Sequence, residues 1–210
     1  MFGDGALTFR EYVMNEPLPL AIVHRGVLDF LQHRDDAALF GAQAVNAYVD
    51  EARMTQDVDI LSTRAPALAE EIRKYLNDRF KIAARVRTVR QGLGYRIYQV
   101  QKTGNRHLVD VRPVLAFPPT QRVDDVLVIS PAELVANKVT AFHHRRGSPK
   151  AFTDRRDLAI LLLQFPELKT EAGPVTDRLD AAAAGADIRA AWNEIVAQPI
   201  RPQDDDAEFD

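Results

Sequence analysis

The sequence predicts an α+β fold: a small mixed or antiparallel sheet flanked by helices, followed by a helical C-terminal part. Three observations predict it. Short β-rich runs at 37–40, 57–61, 83–89, 95–101, 107–111 and 126–129 alternate, early in the chain, with amphipathic helical stretches. After Ile129 no further strand pattern occurs and the remaining periodicity is helical. The chain has 210 residues, 46% hydrophobic and 27% charged, which suits one domain or one domain with a helical appendage. The expected organisation is an α/β core over 1–129, a helical subdomain over 130–200 and an acidic tail over 201–210 that reads as disordered.

Each element has a local reason. From Pro17 to Arg34, apolar residues at Leu20, Val23, Val27, Leu28 and Leu31 recur at helical spacing. Ala37–Phe40 is a short apolar run that ends at Gly41, and Ala42–Glu51 then reads as a helix. Asp57–Leu61 alternates acid and aliphatic, the pattern of a strand with one buried and one functional face. Pro66 suits the first turn of an amphipathic helix that ends at Phe80. Three β-rich runs follow, separated by turns at Gly92–Gly94 and Thr103-Gly104-Asn105. Ser130-Pro131-Ala132-Glu133 carries serine, proline and glutamate at N-cap, N1 and N3, a capping box that makes Glu133 structural and opens a helix to about Arg146. A helix from about Thr153 has the stripe Leu158, Leu161, Leu162 and Phe165, and two more lie near 175–184 and 187–198.

Composition excludes several chemistries. Without cysteine there are no disulfides, no thiolate catalysis and no cysteine-ligated zinc. No run of eighteen apolar residues exists and the N-terminus lacks the pattern of a signal peptide, so a cytoplasmic protein without membrane contact is the expectation. The net charge of −3 conceals an uneven distribution. Asp204–Asp210 holds five carboxylates, whereas 79–112 carries nine basic residues against Asp110 alone, and 138–156 carries six against Asp154 alone. Two basic stretches beside acidic ligands point to an anionic substrate.

Asp57 and Asp59 are the sharpest feature. Two apart on a strand, their side chains share one face, where two ionised carboxylates persist only if solvated or joined by a cation. Val58 and Ile60 point the other way and pin the register. Asp110, between Val109 and Val111, supplies a third carboxylate from a later strand. Three carboxylates from adjacent strands make an all-oxygen site suited to Mg²⁺, and a pair of such ions activates an attacking oxygen and stabilises a leaving pyrophosphate.

Phe40-Gly41-Ala42, then Arg53-x3-Asp57-x-Asp59, resembles the signature of the nucleotidyltransferase (polymerase-β-like) superfamily, and more narrowly the minimal nucleotidyltransferases of the AbiEii/AbiGii toxin type. Leu134-x3-Lys138, Arg145, Lys150 and Asp154-x2-Asp157 are similar to the helical motifs of those toxins. Ala42 stands where the pattern has a second glycine or a serine. It still offers its backbone N–H, without a hydroxyl. The resemblance implies a Mg²⁺-dependent transfer of a nucleoside monophosphate from a nucleoside triphosphate (NTP), such as ATP, to a tRNA or protein acceptor. Asp57, Asp59 and Asp110 hold the metals; Gly41, Ala42 and Arg53 cradle or brace the triphosphate, with Lys138 and Arg145 as further nucleotide-binding residues. Asp154 or Asp157 orients Lys138 or acts as a general base; the alternative reading of both is acids favoured by the helix dipole. It implies also the toxin half of a toxin–antitoxin pair, with a cognate antitoxin as partner.

Two rivals remain at this level, an antibiotic-modifying nucleotidyltransferase and a catalytically degenerate domain that binds nucleotide or a partner. The basic 79–112 segment favours RNA among acceptors. His24, His33, His107, His143 and His144 are read as structural or surface residues, since the adjacent His143-His144 pair diverges on a helix and the others are scattered singly.

Overall fold

The computed structural model describes residues 18–102 and 104–202. By Cα packing the chain divides into two compact units, Met1–Ser130 and Pro131–Asp210. Residues 203–210 of the acidic tail lie outside the described residues.

The first unit is built on a seven-stranded mixed sheet of order β3-β4-β5-β2-β1-β7-β6. Its elements run α1 (Leu20–Leu31), β1 (Ala37–Phe40), α2 (Gly41–Tyr48), β2 (Val58–Ser62), α3 (Ala65–Phe80), β3 (Ala84–Val89), β4 (Gly94–Gln101), β5 (Gly104–Pro113), β6 (Thr120–Val123) and β7 (Val126–Ile129). β2 is central: it pairs antiparallel with β1 and parallel with β5. The parallel pairing places Asp59 directly opposite Asp110, with Val58 opposite Val109. Val58, Ile60, Val109 and Val111 are fully buried. That apolar set fixes the register, because a slip by one residue would bury the aspartates. α3 packs against β2, β3, β4 and β5, where Ala84 and Ile97 are buried while Arg85, Arg87 and Arg96 on the alternate face are exposed. The helix thus covers one face of this part of the sheet, and the aspartates belong to the other.

The strand at Thr120–Val123 has no counterpart in the sequence reading. It pairs only with β7, and only two of its four residues are even half-buried, so it carries no alternating apolar signal. The β3–β4 connection at Arg90–Gly92 is the turn expected there, with Gln91 and Gly92 both at positive φ.

In the second unit α4 (Pro131–His144) packs against α5 (Pro149–Gln164), α6 (Pro174–Ala181) and α7 (Ala186–Ala197). Trp192 of α7 is 1% exposed and its indole N–H donates to the Thr170 carbonyl at 3.2 Å. α4 begins where the Ser-Pro-x-Glu pattern places it, and Glu133 accepts from Asn137 one turn on at 3.1 Å. α5 begins at Pro149, about one turn before the expected Thr153. Pro149 sets φ for N1, so Asp154 and Asp157 lie in the second and third turns and are not N-terminal acids.

Candidate active site

The carboxylates are assembled by strand pairing and by one irregularity in β5. His107 and Asp110 are three apart, so on a regular strand they would face opposite sides. Between Ile97 and Tyr98 the β4–β5 register shifts: Ile97 pairs with Val109 and Tyr98 with His107. Leu108 is the extra residue, a β-bulge, and both Leu108 and Val109 are fully buried. The bulge turns His107 onto the face of Asp110. The imidazole then lies between two carboxylates, with Nδ1 3.1 Å from Asp57 Oδ2 and Nε2 3.0 Å from Asp110 Oδ1. One ligand atom from each of Asp57, His107 and Asp110 falls within 4.8 Å of the others.

His107, read from the sequence as structural or surface, is thus placed between two of the proposed site carboxylates. Counting residues by twos gives the wrong face across a bulge, and the only sequence signal was a histidine three residues before a strand aspartate.

Asp110 is bonded by both His107 and Arg96. Burial by itself raises its carboxyl, but hydrogen bonds from His107 and from Arg96 outweigh this and hold it well below the usual carboxylate range. Arg96, its neighbour across β4, donates through Nε and Nη2 to the two oxygens at 2.9 and 3.0 Å. Asp59 sits on the other side of Asp110, with Arg112 Nη2 4.0 Å from its Oδ1. Asp59 is not one of the three residues whose ligand atoms meet within 4.8 Å. Arg112 also lies over the Phe40 ring, 4.7 Å from its centroid.

Gly41 is tied to Asp59. It follows Phe40 at the β1–α2 junction with φ +71°, and a Cβ built on it would fall within 3.0 Å of three atoms of the Asp59 side chain. Both the left-handed backbone and the close approach require glycine here. Ala42 is half-buried in the first turn of α2. Arg53 lies on the loop between α2 and β2, which two side chains of α2 pin down. Asn46 receives the Arg53 N–H at 3.1 Å and donates to its carbonyl at 2.8 Å, while Gln43 donates to Thr55 Oγ1 at 2.7 Å.

Lys138, Arg145, Asp154 and Asp157 meet within the helical unit. Lys138 is 7% exposed, and its ammonium donates to Asp157 Oδ2 at 2.6 Å and to Asp154 Oδ1 at 3.2 Å. Asp157 is fully buried and Asp154 nearly so; Arg145 Nη1 donates to Asp154 Oδ2 at 2.8 Å. Two buried carboxylates against an ammonium and a guanidinium leave the cluster neutral. The loss of one partner from such a set costs about 3–5 kcal/mol, because a buried charge is left uncompensated.

Comparison with known proteins decides the affiliation. The family model "Nucleotidyl transferase AbiEii toxin, Type IV TA system" matches residues 25–209. The chain belongs to this family. No curated protein matches its sequence. Among solved structures it is similar to the polyadenylate synthase of Megavirus, with TM-score 0.59 and 13% identity, covering 75% of this chain and 34% of that one. The AbiEii-family chain thus spans about a third of the viral enzyme's length. It is similar also to JHP933 from Helicobacter pylori, with TM-score 0.52 and 11% identity, covering 91% and 90% of the two chains. At these identities the likeness establishes a shared nucleotidyltransferase fold. No helix among the described residues is long and apolar enough to cross a membrane.

Proposed function

We propose that this AbiEii-family nucleotidyltransferase moves a nucleoside monophosphate from an NTP to the 3′ end of an RNA acceptor, tRNA foremost, and acts in the cytoplasm as the toxin of a toxin–antitoxin pair. The observation that carries the transfer chemistry is the in-register pairing of Asp59 with Asp110, with Asp57 beside them. This oxygen-rich set on the sheet face that α3 leaves uncovered fits Mg²⁺, and Asp57, Asp59 and Asp110 would hold it. When bound, the metal supplies charge neutralisation at the phosphates and a more acidic acceptor hydroxyl.

The residues of the chain supply the rest. The left-handed turn at Gly41 sets the start of α2 against the Asp59 side chain, and the first N–H groups of a helix favour phosphate oxygens. Arg53 braces the triphosphate from a loop whose backbone Asn46 fixes. The acceptor hydroxyl oxygen attacks the α-phosphorus as its proton passes to water, the bond from that phosphorus to the bridging oxygen breaks, and pyrophosphate leaves with the electron pair of that bond. The phosphate-binding share of Lys138 and Arg145 rests on the family resemblance, and Asp157, in contact with the ammonium, is the positioning residue for Lys138.

RNA is favoured over a protein acceptor by Arg85, Arg87 and Arg96. Arg87 pairs with Arg96 and Arg96 with Asp110, so basic side chains continue the row that starts at the carboxylates. Incubation with each α-labelled NTP, Mg²⁺ and either total tRNA or the protein alone tests the reading. Label is expected on tRNA, and at background in Asp59→Asn. Equal labelling by that variant overturns the catalytic assignment, and label on the protein alone overturns the RNA acceptor.

A further inference from the structure

We infer that His107 is a metal ligand, so that one ion position of this site has a mixed nitrogen–oxygen donor set (Asp57, His107, Asp110) and takes Mn²⁺ or a similar first-row transition ion in preference to Mg²⁺. The inference rests on the metal-dependent reading above and adds to it a nitrogen donor and a metal preference.

Three observations carry it. The first is the pair of contacts already described: both ring nitrogens of His107 lie within 3.1 Å of a carboxylate oxygen. One ligand atom from each of Asp57, His107 and Asp110 thus lies within 4.8 Å of the others, close enough for a single ion to meet all three. The second is the bulge. Only the extra residue at Leu108 brings a side chain three positions from Asp110 to the same face, and the burial of both Leu108 and Val109 locks it there. The third is accessibility. The Asp57, His107 and Asp110 side chains are 29%, 26% and 16% exposed, enough for water or phosphate oxygens to complete the coordination. Imidazole is a poor ligand for Mg²⁺, which takes oxygen, and a good one for transition ions.

The test is electron spin-echo envelope modulation of the full-length protein loaded with Mn²⁺. Wild type is expected to show ¹⁴N modulation from a directly bound imidazole, and His107→Gln to lose it. Mn²⁺ affinity should weaken on the order of tenfold or more in His107→Gln, while Mg²⁺ affinity, read by competition, changes less than twofold. Mn²⁺ bound to wild type without ¹⁴N modulation overturns the role of His107 and leaves the carboxylate site standing. Failure of Mn²⁺ to bind wild type at all overturns both, and is distinguished by the absence of any effect of Asp57→Asn on the spectrum. Modulation that survives in a folded His107→Gln protein places the nitrogen elsewhere and equally overturns it.

Discussion

Gly41 shows how one residue type links backbone shape to the chemistry of a neighbouring strand. Its position at φ +71° costs a non-glycine residue about 1–3 kcal/mol. The larger consequence concerns Asp59, whose carboxylate occupies the space a methyl group would take. Gly41→Ala is therefore expected to lower thermal stability modestly and to reduce nucleotide transfer at least tenfold, because the displaced group is a proposed metal ligand. Parallel melting curves and label-transfer rates check this. A variant that loses stability but transfers label at the wild-type rate would show that the clash is relieved without moving Asp59. Ala42, by contrast, is half-buried at an ordinary helical position, and its departure from the glycine or serine of the family pattern leaves the backbone N–H in place.

At the scale of elements, the frame around the site is held by an ion-pair network where β1, β2 and α3 converge. Arg34 donates to both oxygens of Asp36 at 2.8 Å and to Glu71 of α3 at 2.8 Å; Arg64 bonds the same two acids, and Ser62 Oγ donates to the Asp36 carbonyl at 2.7 Å. The hydrogen bond from Arg34, reinforced by that from Arg64, holds the Asp36 carboxyl below its ordinary 3.8 despite burial. Between the folded and unfolded values the unfolded chain binds more protons, so the contribution is complete above about pH 4 and disappears as the pH falls through the folded value. Asp36→Asn should lower the melting temperature at pH 7 and narrow the gap between pH 7 and pH 3 relative to wild type. An unchanged gap would exclude Asp36 as a source of acid sensitivity. The Asp57–Asp59 strand, the helix to Phe80 and the capped start of α4 were legible in the sequence because periodicity and caps are local. Thr120–Val123 was not, since an edge strand paired on one side needs no apolar alternation. His107 was not legible either, because a bulge is set by the pairing of β4 with β5 and leaves no mark on period-two counting. Lys138 was legible as a residue near the core, but its partnership with Asp154 and Asp157 depends on the packing of α4 against α5.

At the scale of the whole molecule, the question is whether a chain of net charge −3 can bind a polyanion. The mean charge decides solubility, whereas association with a phosphate chain follows the local field within about 10 Å of each site at ordinary salt. In the first unit that field is set by the sheet: Arg85 and Arg87 of β3 are exposed on the face of Arg96, and among the described residues neither has an ion-pair partner. Their neighbour Tyr98, half-buried and paired with both Arg85 and His107, offers a ring on which a base can stack. Arg96 is committed to Asp110, so Arg85 and Arg87 are the cations available to release counterions. Each phosphate contact made to a single strand steepens the dependence of log affinity on log salt by about 0.7. Replacing both arginines by alanine should therefore flatten the slope for tRNA by about 1.4 and weaken binding at all salt concentrations. The KM for NTP measured with saturating acceptor should stay unchanged, because neither side chain belongs to the triphosphate site. A titration of labelled tRNA between 50 and 200 mM salt, a range in which such contacts change affinity strongly, reads the slope directly. If the double variant keeps the wild-type slope, the acceptor does not cross β3, and Arg85 and Arg87 are solvated surface residues.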